Sequence, residues 1–407
     1  MPVAPSPTSA PSQAGSRRPP AQPPNASQNG SKQRIVADID RFWRRVTEGL
    51  QVSELWVQFK RDAQTGYQLY RRDYEAGVPA GQRKSVFQRA QEVMWAFLSK
   101  LTPARRVLLL IGIVFLLFPS GSGFQFQRGD TNVQITAPNF QFWGGLVLFV
   151  LLMLEIADRV VMKRDLEIAR DIQSWLLPAS PPLVPGLAIA FATRPANTVA
   201  GDYYDVFERN AMPAGEQRFL LAVADVAGKS IPAALLMATF QASLKTLSAT
   251  PSGLLQLVAG MNRYACSNSQ GGLRFTTAFI AEFNPATRVL QYINAGHNTP
   301  ILRRSSGNIE RLNVGGVPFG IQTDAAYSAA EVTLASGDWL VIFTDGLVEA
   351  ENQVGEPYGE DRLLSILQAG VGSTPDLLLA RMIAEVNSFV GSTAQHDDIT
   401  CMVIKAV

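Results

Sequence analysis

The sequence is poor in cysteine, histidine and charge, and each shortage excludes a class of protein. It has two cysteines and two histidines in 407 residues, too few for a disulfide framework or a cysteine-based zinc site within one chain. A reducing, cytoplasmic setting is therefore expected for most of the chain. Charged residues make up only 17%, against about 25% in a typical soluble domain. Part of the chain is therefore expected to avoid water.

The charges that are present are divided unevenly along the chain. Residues 1–106 carry 17 Lys or Arg and 8 Asp or Glu, whereas the remaining residues carry 19 and 26. A nucleic-acid-binding protein more often concentrates positive charge on its folded domain. Here the basic part precedes a hydrophobic segment, which indicates a region that faces a membrane and argues against nucleic acid as a partner.

The N-terminal part is expected to contain a tail, a helical region and a membrane hairpin. Residues 1–32 are rich in Pro and Ser and are predicted to be disordered. Helical spacing of apolar residues over 33–104 predicts a cytoplasmic helical region, either a scaffold or a sensory module. Two apolar runs within 105–157, at 107–118 and 140–154, are predicted to be transmembrane helices joined by a short outside loop. A buried helical hairpin in a soluble core is the alternative.

Basic residues flank the two apolar runs and predict their orientation. Arg105 and Arg106 precede the first run, and Lys163 and Arg164 follow the second. The positive-inside rule then places the N-terminus and the C-terminal domain in the cytoplasm, at the cytoplasmic membrane. Alternating apolar residues in the connection predict a small β-hairpin on the outer side.

Residues 158–185 are predicted to form a linker helix that enters the C-terminal domain. The helical pattern continues without a breaker to Pro178, and its apolar stripe consists of Val161, Ile168, Ile172 and Trp175. The stripe has two possible partners: a second copy of the chain, in a coiled-coil homodimer, or the chain's own C-terminal domain. Prolines from Pro178 onward then mark a domain boundary.

Residues 186–407 are predicted to form an α+β domain. Short strand-like runs often follow one another directly through turns, which favours antiparallel sheets over a doubly wound parallel sheet. Strands are predicted at 187–193, 218–225, 275–283, 289–294, 330–334, 339–344 and 399–404, and helices at 233–247, 253–264 and 375–389.

Four acidic clusters lie in turns beside apolar strands of this domain. They are centred on Asp202, Asp225, Asp345 and Asp397. If the sheets bring the strand ends together, carboxylates that close would repel one another unless a cation joined them. Mg²⁺ and Mn²⁺ prefer such oxygen ligands, which explains the use of Asp without Cys or His. Each cluster alone has the composition of an ordinary turn. The prediction of a metal site therefore depends on the presence of four such clusters in one domain.

At these residues the chain resembles the SpoIIE/RsbU-like branch of the PPM (metal-dependent) serine/threonine protein phosphatases. The resemblance covers about residues 165–407, and one departure from the family pattern is Ala200, where a second glycine is usual. The segments that carry it are IARDIQSWLLP (168–178), GDYYD (201–205), ADVAGKSIPAALLMA (224–238), FTTAFIAEF (275–283), NAGHNTP (294–300), FTDGLVEA (343–350) and DDIT (397–400).

The resemblance implies a fold, a metal centre and a reaction. The fold is the PPM-type four-layer β-sandwich flanked by helices, here preceded by the helical region and the two-helix transmembrane hairpin. The centre contains two Mn²⁺ or Mg²⁺ ions, and the reaction is hydrolysis of phosphoserine or phosphothreonine by metal-activated water. The implied catalytic and metal-binding residues are Asp202, Asp225, Asp345 and Asp397, with the backbone carbonyl of Val226 as a further ligand.

Further candidate site residues have weaker support. For two carboxylates the choice is between an extra metal ion and hydrogen bonds that orient neighbouring groups. For the histidine it is between a structural hydrogen bond and proton donation to the leaving group. The lysine could attract phosphate or cover a helix start, and glycines beside the aspartates permit close approach. These residues are Asp205, Gly228, Lys229, His297, Gly346 and Asp398.

The resulting hypothesis is a membrane-anchored protein phosphatase. The resemblance implies that its substrate is a phosphorylated STAS-domain protein, an anti-sigma-factor antagonist, in a partner-switching signalling pathway. Two alternatives are a catalytically silent membrane scaffold that binds phosphorylated partners and a hydrolase of small phosphoesters. The four intact aspartates argue against the scaffold, since a degenerate site would be expected to have lost at least one of them.

Overall fold

The computed structural model describes residue 98 and residues 101–118, 124–128, 131–135, 139–209, 216–269, 274–370 and 372–407. The predicted tail at 1–32 and nearly all of the predicted helical region at 33–104 lie outside these residues. The chain divides into two compact units, Met1–Leu151 and Leu152–Val407.

Two helices and a β-hairpin form the described part of the first unit. Helix α1 (Pro103–Leu117) begins with proline at its first position, where the missing N–H costs nothing. Strands β1 (Phe124–Arg128) and β2 (Thr131–Ile135) pair in antiparallel fashion, which confirms the predicted hairpin. Helix α2 (Phe140–Leu176) follows and continues into the second unit.

Helix α1 packs against the first turns of α2 through two glycines. A Cβ atom on Gly144 would lie 2.9 Å from the carbonyl oxygen of Gly112, and one on Gly112 would lie 2.7 Å from a methyl group of Leu148. The helices therefore approach more closely than larger side chains would permit. Outside this contact most apolar side chains are exposed, including Leu117 and Phe142, so the described residues do not form a hairpin buried in a soluble core.

Within the described residues, no helix combines the length and the apolar character that crossing a membrane requires. Helix α1 has 15 residues, whereas a spanning helix needs about 20. Helix α2 has 37 residues, but its apolar run ends before Glu155. The prediction of two transmembrane helices is therefore corrected here. It depended on counting polar flanking residues as part of each span.

Two β-sheets form the centre of the second unit. Among the described residues, the first sheet contains β4 (Tyr203–Glu208), β5 (Phe219–Val226), β6 (Thr276–Asn284), β7 (Val289–Ala295), β10 (Gly315–Gly316) and β11 (Ala330–Thr333). The second contains β3 (Leu187–Arg194), β8 (Ile301–Arg303), β9 (Ile309–Arg311), β12 (Trp339–Phe343) and β13 (Ile399–Ala406). The strand order of the first sheet is β10-β7-β6-β5-β4, with β11 also paired to β7; that of the second is β3-β13-β12-β8-β9. All of these pairs are antiparallel except β10 with β7.

Five helices accompany the sheets and complete four layers. Alternate side chains of each strand point to opposite faces, so one apolar cluster fills the space between the sheets and one covers each outer face. The first two helices cover the first sheet, and the last two cover the second. The helices are α3 (Ile231–Ser248), α4 (Leu254–Asn268), α5 (Asp345–Val348), α6 (Glu360–Ala369) and α7 (Pro375–Val390).

The architecture confirms the predicted α+β sandwich, and the long apolar elements fall within a few residues of their predicted bounds. Elements that sequence periodicity missed are short or polar. Strand β4 carries two Tyr and an Asp and was predicted as a turn, and α5 is a single helical turn. Helix α6 has a mixed polar surface, although its inward side contributes Leu363 and Leu367 to the core.

Candidate metal centre

The four predicted acidic positions converge at one end of the two sheets. Asp202 immediately precedes β4 and Asp225 lies near the end of β5, and these strands run antiparallel. In the other sheet Asp345 follows β12 and Asp397 precedes β13, again an antiparallel pair. Asp345 therefore follows its strand and Asp225 lies at the end of its own strand, whereas Asp202 and Asp397 precede theirs. The convergence holds because antiparallel neighbours bring a strand start beside a strand end.

Burial and mutual repulsion raise the pKa values of these carboxyl groups. Asp202 is buried, and its pKa is raised well above the usual value by burial and then by the charge of Asp225. The pKa of Asp225 is raised to about 7 by burial and by Asp345 and Asp397. Burial and Asp397 also raise the pKa of Asp345. The group thus concentrates negative charge where water is scarce, and a cation there would relieve the repulsion.

Two buried threonines join the sheets beside Asp202. The Thr344 hydroxyl donates to Asp202 Oδ2 at 2.9 Å and accepts a hydrogen bond from the Thr400 amide at 2.9 Å. Thr400 Oγ1 lies 2.9 Å from Thr193 Oγ1, its cross-strand partner. Sequence reasoning did not assign a role to either threonine. The only signal was their position inside the FTDGLVEA and DDIT segments.

The carboxylate of Asp398 binds main-chain amides and not another side chain. Its Oδ1 accepts from Ala196 N at 2.7 Å and its Oδ2 from Gly201 N at 2.6 Å. Its own amide donates to Asp397 Oδ1 at 3.0 Å. These contacts favour the orienting role over an extra metal ion. They fix the position of the segment before Asp202 and the orientation of the Asp397 carboxylate.

Lys229 is the cation nearest to this acidic group among the described contacts. Its Nζ lies 3.1 Å from Asp397 Oδ2 and also donates to the carbonyl oxygen of His396. Gly228 has φ +122° and Ser230 has φ +62°, so the chain turns sharply on both sides of the lysine before α3 begins. The lysine side chain thus reaches toward the carboxylates and does not cover the helix start.

Two glycines permit the close approach that brings the strand ends together. A Cβ atom on Gly346 would overlap the main-chain oxygen of Asp398. One on Gly201 would lie 3.1 Å from the carbonyl oxygen of Val226, the predicted main-chain ligand. The predicted role of the glycines beside the aspartates is consistent with these distances.

The structure places Asp205 away from the acidic group. It lies on the α3 side of β4, where it accepts a hydrogen bond from the Tyr203 hydroxyl at 2.9 Å and pairs with Lys245 at 2.6 Å. The Lys245 ammonium also lies 3.4 Å from the centre of the Phe207 ring. Asp205 therefore anchors α3 to the sheet, which favours the structural alternative for this residue.

His297 is also held in structural contacts. Its Nδ1 lies 3.0 Å from Thr277 Oγ1, its backbone amide donates to Asn294 Oδ1 at 2.7 Å, and Asn294 Nδ2 donates to its carbonyl. Burial lowers the pKa of the imidazole to about 4, so the ring is neutral near pH 7. These contacts support the structural role, since a neutral imidazole is a poor proton donor.

A cleft of about 230 Å³ opens directly beside Asp397. Its wall contains the basic side chains Lys229 and Arg194, the carboxylates Glu349 and Glu351, and apolar side chains such as Val390 of α7. The cleft therefore places charges of both signs and an apolar surface next to the acidic group.

The donor set fits hard divalent cations such as Mg²⁺ or Mn²⁺. The converging groups supply carboxylate and carbonyl oxygens, and the pKa values of three of them are raised by burial. Among the described residues, no three Asp, Glu, His or Cys side chains lie close enough together to hold a metal ion without moving. The carboxylates thus approach one another without forming a closed coordination shell.

One residue that sequence reasoning missed lies outside the acidic clusters. Gln173 of α2 is buried, and its side-chain amide exchanges two hydrogen bonds with the backbone of Ala200. It lies within IARDIQSWLLP, a segment that had been interpreted only as a linker helix.

Comparison with known proteins agrees with the fold and with the resemblance found in the sequence. Residues 215–407 match the family model described as Stage II sporulation protein E (SpoIIE). Phosphoserine phosphatase RsbU of Bacillus subtilis is 28% identical over 252 residues, which cover 60% of this chain and 70% of RsbU. Protein IcfG of Synechocystis is 26% identical over 281 residues, covering 62% of this chain and 43% of IcfG. The chain thus spans less than half the length of one of these relatives.

A solved structure shares the fold. The SiaA-PP2C domain of Pseudomonas aeruginosa superposes with a TM-score of 0.51 and 22% identity, covering 61% of this chain and 98% of that domain. The fold, together with the similarity to a phosphoserine phosphatase, supports a PPM-type serine/threonine phosphatase domain. Within that class, the domain resembles the SpoIIE/RsbU-like branch, and phosphatases of this class depend on metal ions.

Proposed function

We propose that this chain hydrolyses phosphoserine or phosphothreonine in a protein by direct attack of water at a two-metal centre. The observation that carries the proposal is the convergence of Asp202, Asp225, Asp345 and Asp397 from two different sheets. These four carboxylates, with the Val226 carbonyl, would hold two Mn²⁺ or Mg²⁺ ions. The ions would lower the pKa of a bound water and neutralise the charge of the phosphoryl group.

The chain's own residues supply the rest of the mechanism. Thr344 and Asp398 orient Asp202 and Asp397 through the hydrogen bonds described above. Lys229, at the cleft beside Asp397, is placed to attract the phosphate. A cysteine nucleophile is not supported, because Cys401 is buried in β13, where burial raises the pKa of its thiol to about 12, and Cys266 lies in α4, which carries none of the four aspartates. Water is therefore the nucleophile in this proposal.

A phosphorylated STAS-domain protein is the proposed substrate, and a partner-switching pathway the proposed context. The similarity to a phosphoserine phosphatase supports a phosphoprotein substrate. The cleft beside Asp397 also supports it, because Lys229 and the apolar side chains of α7 offer contacts to residues that flank a phosphoserine. A small phosphoester would leave most of that surface unused.

Association with the cytoplasmic membrane, with the phosphatase domain in the cytoplasm, is part of the proposal. Its support is the exposed apolar surface of α1 and the first half of α2, with side chains such as Leu117, Phe142 and Phe149 facing outward. Full-length protein is expected to sediment with membranes after cell breakage. Replacing these three residues with serine is expected to release it into the supernatant, and an unchanged distribution would contradict the proposal.

Homodimer formation through the linker helix is proposed as well. The stripe residues Ile168, Ile172 and Trp175 remain exposed, with Trp175 at 80%. The alternative, in which the stripe packs on the chain's own domain, is therefore not found in the part of the domain that the structure describes. Sedimentation of the full chain is expected to show a dimer, and Ile168→Asp with Ile172→Asp to shift it to a monomer. A monomeric wild-type chain would contradict the proposal.

Substrate comparison tests the function. Phosphate release from a phosphoserine STAS protein and from p-nitrophenyl phosphate is measured with Mn²⁺, and the protein is analysed for bound phosphate during turnover. We expect kcat/KM to be at least 100-fold higher for the phosphoprotein and no covalent phosphoenzyme. Equal rates would favour the small-phosphoester hydrolase, and tight binding of the phosphoprotein without release would favour the scaffold.

A further inference from the structure

One glutamine of the linker helix is buried although its neighbours are exposed. Gln173 is only 7% exposed, whereas Ile172 and Trp175 on the same turn face outward. Leu177, the residue directly after α2, packs against the apolar clusters on both sides of the first sheet. The C-terminal end of α2 thus contacts the domain through Gln173 and the residue that follows the helix.

The Gln173 side chain pairs with the backbone N–H and C=O of a single residue in a distant segment. Its Nε2 donates to the carbonyl oxygen of Ala200 at 2.7 Å, and its Oε1 accepts from the Ala200 amide at 3.0 Å. Both bonds are buried, so a side chain without amide atoms would leave a main-chain donor and acceptor unsatisfied. A two-point contact of this kind fixes the orientation of the Ala200 backbone as well as its position.

The segment that Gln173 holds leads directly to Asp202. On its other side the same segment is held by Asp398, which accepts hydrogen bonds from Ala196 N and Gly201 N. The Asp202 backbone is therefore placed by two side chains. One belongs to the acidic centre itself, and the other belongs to α2.

We propose that Gln173 is a positioning residue for the metal centre: it holds the 196–201 segment so that Asp202 stands ready to bind a metal ion. This inference rests on the proposed function of Asp202 as a metal ligand. Because Gln173 lies on the helix that precedes the domain, a shift or rotation of α2 would move the Ala200 peptide with it. Metal affinity would then depend on the position of α2.

The test uses the full-length chain with two substitutions and a matched control. Gln173→Met keeps the length of the side chain and removes both hydrogen bonds, and Gln173→Glu keeps only the acceptor. Ser174→Ala is the control, because Ser174 is the next residue, is exposed, and bonds only within its own helix. Mn²⁺ affinity is measured by electron paramagnetic resonance, and amide hydrogen exchange of residues 196–203 is measured without metal.

We expect Gln173→Met to raise the Kd for Mn²⁺ at least ten-fold and to accelerate exchange in 196–203, while exchange in β12 and β13 stays unchanged. Gln173→Glu is expected to fall between Gln173→Met and the wild type, and Ser174→Ala to match the wild type. A purely stabilising role would lower the melting temperature and leave the Mn²⁺ affinity of the folded protein unchanged. That result would overturn the inference.

The two proposals fail in different ways in this experiment. If the wild-type chain binds no Mn²⁺, the proposed metal centre is wrong. The exchange measurement still decides whether Gln173 holds the segment, because it needs no metal. Unchanged exchange at 196–203 in both Gln173 variants would overturn the positioning role whatever the metal does.

Discussion

The carboxylate of Asp398 accepts a hydrogen bond of 2.6 Å from the main-chain amide of Gly201, and this contact joins one sheet to the other. Asp398 lies at the start of β13, and Gly201 lies just before β4. Each is the direct neighbour of a predicted metal ligand, Asp397 in one case and Asp202 in the other. The geometry of the centre therefore depends on a bond between residues that are not themselves ligands.

Removing the Asp398 carboxylate is expected to weaken the metal centre. In Asp398→Ala the amides of Ala196 and Gly201 lose their acceptor, and the segment before Asp202 loses its support on that side. Partners of this kind typically contribute about 10–100-fold to metal affinity or activity. We expect a loss of that size in Mn²⁺ affinity by calorimetry and in kcat, with Asp324→Asn, an exposed carboxylate, as the control. Wild-type Mn²⁺ affinity in Asp398→Ala would contradict this role.

Substitution of Asp205 is expected to affect stability and not metal binding. Asp205→Asn removes the charge partner of Lys245 inside the α3 layer, which should lower the free energy of unfolding by about 1–3 kcal/mol. Urea unfolding measures this loss, and a parallel Lys245→Met variant shows how much of it belongs to the pair. A ten-fold drop in Mn²⁺ affinity would instead restore the extra-metal interpretation of Asp205.

A methyl group at Gly346 is expected to disable the centre. The added Cβ of Gly346→Ala would overlap the main-chain oxygen of Asp398, so α5 and the start of β13 would have to separate. We expect at least a 100-fold loss of phosphatase activity in protein that remains folded by circular dichroism. Gly253→Ala is the matched control, because no atom lies within 4 Å of its added Cβ. Near wild-type activity in Gly346→Ala would show that the close approach is not required.

The buried His297 predicts a loss of stability in mild acid. Its pKa is lowered to about 4 in the folded protein, against 6.5 in the unfolded chain. The unfolded state therefore binds more protons between these values, and stability falls as the pH falls from 6.5 toward 4. The histidine accounts for about 3 kcal/mol of that fall.

The His297 prediction is measured by comparing urea unfolding of the wild type and His297→Asn at several pH values. The difference in stability between the two proteins is expected to shrink by about 3 kcal/mol from pH 7 to pH 4. A constant difference would mean that the imidazole does not titrate as its burial implies.

The sequence predicted most of the sandwich because its long strands and helices are apolar and periodic. It also predicted which aspartates meet, because the motifs that carry them were recognisable as a set. It did not predict β4, whose tyrosines and aspartate resemble a turn, or the single-turn helix α5. Helix α6 was missed because it has only ten residues, too few for its apolar spacing to stand out.

Contacts between distant segments could not be read from the pattern of residues. The pairing of Gln173 with Ala200 joins positions 27 residues apart, and that of Asp398 with Gly201 joins positions 197 residues apart. Nothing in the local spacing identifies such partners. The transmembrane prediction failed for a different reason, because each apolar run was extended through its polar flanks, and within the described helices those flanks contain charged residues such as Arg105, Arg106 and Glu155.

Metal-dependent phosphate release tests the central claim most directly. Full-length protein would be incubated with a phosphoserine STAS protein in Mn²⁺, in Mn²⁺ with excess chelator, and as the Asp225→Asn and Asp397→Asn variants in Mn²⁺. The account predicts release by the wild type with Mn²⁺, and a loss of at least 100-fold with chelator and in each variant. Equal release by the wild type and both variants, or release that chelator does not reduce, would contradict the two-metal phosphatase.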